Sequence, residues 1–508
     1  MNLAQHFWNQ LQKHPDKIVL ERLESDGHVA WRQTCGALQE EASRWMAALR
    51  AAGVKPGDRV ALSLGKSSGL VTAHLAVLGV GAGVVPLNPS LTARETEAVL
   101  EKAETCLAIT HAETVARSPQ ITATVRGPWW IVGQEGELPF ETEAMDQVLA
   151  AHRPGPEPVD RGADALALLL FTSGTTGIPK GVGLTHRNIQ SNLQALLVDT
   201  WEMHETDRLL HVLPPHHLHG LGLGLYGTLY VGNGAVLLDR FDPLVTLRAL
   251  GSQHITVFMG VPTMYHRMLE VEGHFDFSSV RLLTCGSAPL SVETFRRFQE
   301  RFDFSLVERY GLTETAINTS NPIHGEQRPG SVGLELPGVE VGVFDPQMHS
   351  RLESGETGEI WVRGPNVFGG YWRNPDATAD AFVGDWFRTG DLGAFSEDGY
   401  LSILGRMKEL IIVGGTNVTP GEVEAVLETE AGVAECAVAG LPDPDLGERI
   451  AAFIVSRAGE EQTALEQRLR AKAENELAPY KRPRVYRFLD AIPRNAMGKV
   501  ERSKLRNI

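Results

Sequence analysis

The feature that most constrains this chain is the repeated alternation of short apolar runs with helical segments. Residues 38–53 place Ala42, Trp45, Met46 and Leu49 at helical spacing, and Gly53 stands where helices commonly stop. RVALSL at 59–64 reads as a buried strand, 70–78 as a helix, and GVVPLN at 83–88 as a strand again. The same order recurs at ETCLAIT, ITVFMGVP, VRLLTCGSAP and LVERYG. Strands that alternate with helices predict an α/β fold with parallel sheets and crossover helices. Function in such folds gathers at the carboxyl ends of the strands. Near Gly405-Arg406-Met407-Lys408 the pattern changes to a small α+β unit: LIIV, EVEAVLE, AECAVAGLP, AAFIVS and a charged helix at about 463–475. The proline-rich segment 152–164 reads as an exposed linker. There is no fixed-period repeat.

Composition narrows the partners. Hydrophobic residues make up 43% and charged residues 22%, which excludes disordered and low-complexity classes. With 47 basic against 63 acidic residues the net charge is −16, a poor match for nucleic acid or an anionic membrane. Cys35, Cys106, Cys285 and Cys436 form no CxxC pair, which fits a reducing compartment. The N-terminus lacks a secretory pattern. Two charge-free stretches, between Lys66 and Arg94 and between Arg208 and Asp239, are broken by prolines, glycines and histidines and make poor bilayer helices. The expectation is a cytoplasmic monomer or homodimer that acts on small molecules, with no nucleic-acid partner and no integral membrane segment.

The apolar run 165–171 ends in Thr172-Ser173-Gly174-Thr175-Thr176-Gly177-Ile178-Pro179-Lys180-Gly181. Glycines let backbone N–H groups turn inward as an anion nest, the hydroxyls add donors, and Lys180 adds a mobile charge. The lysine is not followed by Ser or Thr, so this is not the GxxxxGK[ST] loop. A flexible Ser/Thr/Gly turn is the plain alternative. The density of hydroxyls after a buried strand favours phosphate.

The segment FTSGTTGIPKGVGLTHRN closely resembles the phosphate loop of the adenylate-forming superfamily, which holds acyl-CoA synthetases, adenylation domains of peptide synthetases and luciferases. The resemblance spans essentially the whole chain, with its motifs in order. It implies a large N-terminal domain of stacked βαβ sheets with a small barrel-like subdomain (1–404), a hinge (405–409) and a small mobile C-terminal domain (410–508). Gly286-Ser287-Ala288-Pro289 would lie against adenine. In Tyr310-Gly311-Leu312-Thr313-Glu314-Thr315, the tyrosine offers a ring to stack on, Thr313 a hydroxyl for the α-phosphate, and Glu314 a hard ligand for Mg²⁺. Asp391, read as sitting in a tight turn, suits the ribose hydroxyls. Arg406 reaches the ribose in this family. Lys499 matches the catalytic lysine, whose charge would orient the attacking carboxylate. Lys408 matches the hinge, and Gly414-Gly415 the loop that lines a thiol tunnel. An Asx turn, surface ion pair, hairpin turn or solvated lysine are the plain readings of these same residues.

The resemblance implies attack of a carboxylate on MgATP to give an acyl-adenylate and pyrophosphate, then thioester formation and release of AMP. The last residue, Ile508, follows soon after the lysine loop, so free coenzyme A is expected over a tethered carrier. Several segments, among them LPPHHLHGL, FMGVPTMYHRML and PRNAMGKV, resemble malonyl-CoA synthetases. Malonate or methylmalonate is therefore the expected acid. His217 would stand at the mouth of the acid pocket, and Arg267 would grip the distal carboxylate from the first turns of a helix. The plain alternative for Arg267 is a surface residue paired with Glu270. His216 and Cys285 depart from the malonyl-CoA synthetase pattern. Medium-chain or aromatic acids, or a separate acyl-carrier protein as acceptor, are the alternatives. The apolar-acid alternative requires Arg267 to face solvent.

Overall fold

The computed structural model describes residues 2–133, 142–155, 157–172, 179–495 and 499–508. The alternation read from sequence resolves into two sheets, as the stacked βαβ arrangement implies. Arg59–Ser63, Gly83–Pro86, Leu107–Thr110, Trp129–Ile131, Thr142–Ala144 and Leu166–Thr172 are parallel, and Lys180–Thr185 closes this sheet antiparallel to Leu166–Thr172. The second sheet has nine strands. Arg208–His211, Gly234–Leu237, Val257–Gly260, Leu282–Cys285 and Val307–Leu312 form its parallel centre. Apolar strands such as Leu282–Cys285 are buried along their whole length, as parallel strands covered on both faces must be.

Crossover helices seal the sheets. Helix Cys35–Ala51 starts three residues before the expected span, because the Thr34 side chain accepts from the Ala37 N–H and caps it. Gly53, with φ +85°, ends it as expected. Helix Ser68–Gly79 is buried on nearly every side, which explains why its charge-free sequence resembles a membrane span. No helix among the described residues is long and apolar enough to cross a membrane.

A five-stranded antiparallel sheet follows, built from Glu340–Phe344, Gly358–Arg363, Phe382–Val383, Trp386–Phe395 and Leu401–Arg406. The small C-terminal unit pairs Ile411–Val413, Thr416–Val418, Val433–Asp443, Gly447–Ser456 and Val485–Phe488, with helices Pro420–Leu427 and Gln462–Glu476 against them. Its apolar clusters, around Ile411, Val438 and Leu465 and around Ala437, Phe453 and Leu505, are separate from the large N-terminal core.

Candidate active site

Strand ends carry most of the residues singled out by sequence. Leu282–Cys285 runs directly into Gly286-Ser287-Ala288-Pro289. At Gly286 a Cβ would lie 2.9 Å from Arg309 Nη1 and 3.0 Å from the Arg309 carbonyl oxygen, so only glycine fits. Ser287 is held at φ +72°, a strained conformation for a residue with a side chain. Its Oγ lies 3.1 Å from His219 Nδ1. Ala288 is half-buried and Pro289 exposed. The following helix starts at Val292 behind a Ser291 cap, so Pro289 does not open it.

Tyr310 and Gly311 lie on strand Val307–Leu312, and Thr313 and Glu314 on its reverse turn into Ala316–Ser320. A Cβ on Gly311 would fall 1.8 Å from the Ala316 carbonyl oxygen. The Tyr310 hydroxyl donates to Asp391 Oδ2 at 2.6 Å, and Arg406 Nε meets Asp391 Oδ1 at 2.8 Å. Asp391 is only 3% exposed. Burial pushes its pKa up, against the pull of Arg406 and Tyr310. The tight turn expected at Asp391 is a bulge instead. Gly390 has φ +70° inside the ten-residue strand Trp386–Phe395, and Asp391 pairs with Arg406 across the ladder. A glycine in that conformation bends a strand without ending it.

Glu314 accepts a hydrogen bond from the Tyr371 hydroxyl at 3.1 Å. The Lys180 ammonium sits 4.7 Å from the centre of the Tyr371 ring. Tyr371 therefore links the phosphate-loop lysine to the acidic residue, a role that only the aromatic in GGYW hints at in sequence. Thr172 and Lys180 face each other across the antiparallel pair. Ser173, Gly174, Thr175, Thr176 and Gly177 lie outside the described residues.

The histidines gather beside Ser287. The rings of His216 and His217 are 4.5 Å apart, and both are half-buried. Nε2 of His216, His217 and His219 is buried without a hydrogen-bond partner. Burial lowers His217 to about 4, helped by the charge of Lys499, and lowers His216 to about 3. Both rings are thus neutral at pH 7.

Lys499 comes from the C-terminal unit. The Asn495 N–H donates to its carbonyl at 2.9 Å, and its own N–H donates to Asn495 Oδ1 at 3.0 Å. Its side chain keeps solvent access, yet it interacts electrostatically with Arg406, Asp391, Glu314 and Glu409. Desolvation and the Arg406 charge hold its pKa below that of an ordinary lysine. Residues almost 300 positions apart in sequence, His217 and Lys499, are electrostatically coupled here.

Other expectations fare differently. Arg267 is exposed, in the last turn of helix Pro262–Leu269 rather than its first. Glu270 pairs with Arg297 at 3.3 Å, not with Arg267. Lys408 is exposed in the short turn Met407–Glu409. Gly414 and Gly415, with φ +56° and +82°, form the exposed two-residue turn of a hairpin, which requires positive φ at both positions.

Known proteins resemble this chain in sequence and overall structure. Residues 7–372 match the family of AMP-binding enzymes, and residues 422–499 match the AMP-binding enzyme C-terminal domain. The long-chain-fatty-acid–CoA ligase of Bacillus subtilis is 33% identical over 92% of this chain and 88% of its own length. A malonate–CoA ligase of Arabidopsis thaliana is 36% identical over 68% of this chain and 60% of its own length. The ATP-bound structure of MatB from Rhodopseudomonas palustris, 37% identical, covers 100% of this chain and 99% of its own with a TM-score of 0.91; the apo form of that protein gives 0.82. The chain belongs to the AMP-binding enzymes of the adenylate-forming superfamily and is an AMP-forming acyl-CoA ligase.

Proposed function

We propose that this ligase activates malonate or methylmalonate at the point where Lys499 meets Asp391, Glu314 and His217. That convergence of charge carries the reading. Asp391 and Arg406 would hold the ribose, with Tyr310 against the base. Gly286 to Pro289 would receive adenine, and Thr313 the α-phosphate. Thr172 to Lys180 would cradle the β- and γ-phosphates. Lys499 would draw the acid's carboxylate onto the α-phosphorus, where negative charge accumulates. The O–P bond that forms gives the acyl-adenylate, and pyrophosphate leaves. A thiolate of coenzyme A then attacks the acyl carbon, and AMP leaves. Neutral His217, beside the mixed anhydride, adds no charge that would compete with Lys499.

Mg²⁺ fits the donor set. Glu314 supplies one hard oxygen, and among the described residues no group of three or more His, Cys, Asp and Glu is placed to hold a metal. Mg²⁺ characteristically takes one or two carboxylates and completes its shell with phosphate oxygens and water. Held by Glu314, it would neutralise phosphate charge.

The division into 1–404, 405–409 and 410–508 is supported by the separate apolar cores, and a hinge at Lys408 by the turn that joins them. The greater likeness to the ATP-bound form of MatB than to its apo form supports an adenylate-forming arrangement of the two units. The Gly414-Gly415 hairpin would reach the site only after rotation about that hinge.

A second reading, a medium-chain or aromatic acid, is favoured by one observation: Arg267 faces solvent, as an apolar-acid site requires. The test is AMP release with MgATP, coenzyme A and malonate, methylmalonate, octanoate or benzoate. The proposal expects malonate or methylmalonate to give the highest kcat/KM. Preference for octanoate or benzoate would establish the second reading.

A further inference from the structure

Arg309 precedes Tyr310 on strand Val307–Leu312, so its side chain projects to the opposite face. It is 4% exposed. Its Nε and Nη2 are buried with no hydrogen-bond partner, and among the described residues it forms no ion pair. Those two nitrogens make the side-on edge of a guanidinium, the edge that grips a carboxylate with parallel hydrogen bonds.

Nothing around it supplies the missing negative charge. Its closest electrostatic neighbours are Cys285, Tyr265 and His219. The Tyr265 hydroxyl donates to the Thr284 carbonyl at 2.7 Å, and burial keeps the Cys285 thiol protonated. Glu308, one residue away, projects from the other face and is itself largely protonated at pH 7, pushed up to about 8 by burial. Burial lowers Arg309 only to about 10, so it stays charged. An unpaired buried cation is expensive to keep, and an arriving anion would relieve it.

The surroundings say where that anion comes from. Arg309 lies under Gly286, beside His219, which bridges to Ser287. His211, at the end of strand Arg208–His211 in the same sheet, adds another buried imidazole nitrogen without a partner, Nδ1, and interacts electrostatically with His219. His219 interacts electrostatically with Arg309, His211 and His217, and His217 in turn with Lys499, so Arg309 is coupled through the histidines to the cluster that holds Lys499.

We propose that Arg309, not the exposed Arg267, receives a second carboxylate carried by the acid, so that the enzyme selects short dicarboxylic acids. This rests on the acid lying beside His217 and His219. The distal carboxylate would pair side-on with Nε and Nη2, while the reacting carboxylate faces Lys499. Arg309 then sets the substrate's chemical class and also limits its length, because a longer apolar tail would meet a charge.

The experiment compares malonate with 3-methylbutanoate, in which an uncharged isopropyl group replaces the second carboxylate, in AMP release by the wild type, Arg309→Met and Arg309→Lys. The wild type is expected to favour malonate by about 100-fold or more in kcat/KM. Arg309→Met should lose about 100-fold on malonate, mostly through KM, and keep or gain activity on 3-methylbutanoate. Arg309→Lys should fall between. A wild type that prefers 3-methylbutanoate overturns the proposal while leaving the ligase chemistry intact, as do variants that lose both acids in parallel. If Arg309→Met does not fold by thermal melting, the Lys variant decides: an unchanged malonate preference overturns the proposal. No AMP from any acid with the wild type would overturn the placement of the acid, and this proposal with it.

Discussion

Asp391 shows how one residue can be legible in type and not in setting. Its role as an acceptor follows from the GD pair and the motif order, but its two engaged oxygens follow from a strand bulge that sequence reads as a turn. Lys499, Glu314 and Tyr310 could be singled out as candidates because each sits in a short motif with a fixed place in the order. Arg309 and Glu308 were not, because a buried polar atom without a partner is a product of topology, not of spacing, and Tyr371 was not, because its partners Glu314 and Lys180 come from distant segments. Glu308 carries a consequence for stability. It is 5% exposed, its Oε1 has no partner, and its folded pKa of about 8 stands above the ordinary carboxylate value of 4.5. The folded state therefore binds more protons than the unfolded state between those values, and stability is lost as pH rises through that window. The loss is on the order of 4 kcal/mol by pH 8. Glu308→Gln should flatten the decline in Tm between pH 5 and pH 8 and raise Tm at pH 8. A variant whose Tm falls with pH as steeply as the wild type would show that another group sets the slope.

At the scale of elements, apolar runs located the strands well, and the boundaries moved by only a few residues where a cap such as Thr34 decided the start. Which strands share a sheet was not legible. The run 165–171 and the run near 282 look alike, yet one lies in the first sheet and the other in the second. Long-range pairing depends on crossovers that leave no local mark. Glycines carry part of that information. Gly333 has φ +85°, and a Cβ there would fall 2.0 Å from the Ser320 carbonyl carbon, where Leu334–Glu335 joins the edge of the nine-stranded sheet. Gly333→Ala should cost roughly 3 kcal/mol or more in a denaturant titration, since positive φ and a backbone clash act together. A midpoint unchanged from wild type would mean that the edge can shift to make room.

The whole molecule joins two separately cored units through a short turn, and its candidate chemistry falls between them. Composition and charge narrowed the expected partners, and the change of pattern near Gly405 is where the proposed hinge falls. The electrostatic coupling of Lys499 to groups of the N-terminal unit was not legible, because sequence does not say how two packed units face each other. That coupling is the centre of the functional account. A unit charge about 4 Å from another contributes roughly 4 kcal/mol at an effective dielectric near 20, enough for about a thousandfold in rate. The most direct measurement is malonate-dependent ATP–pyrophosphate exchange, which reads adenylate formation without coenzyme A, in the wild type and in Lys499→Ala. The account expects robust exchange in the wild type and a loss of about a thousandfold in the variant, with the thermal melt unchanged. Exchange that survives in Lys499→Ala within a few-fold would contradict it.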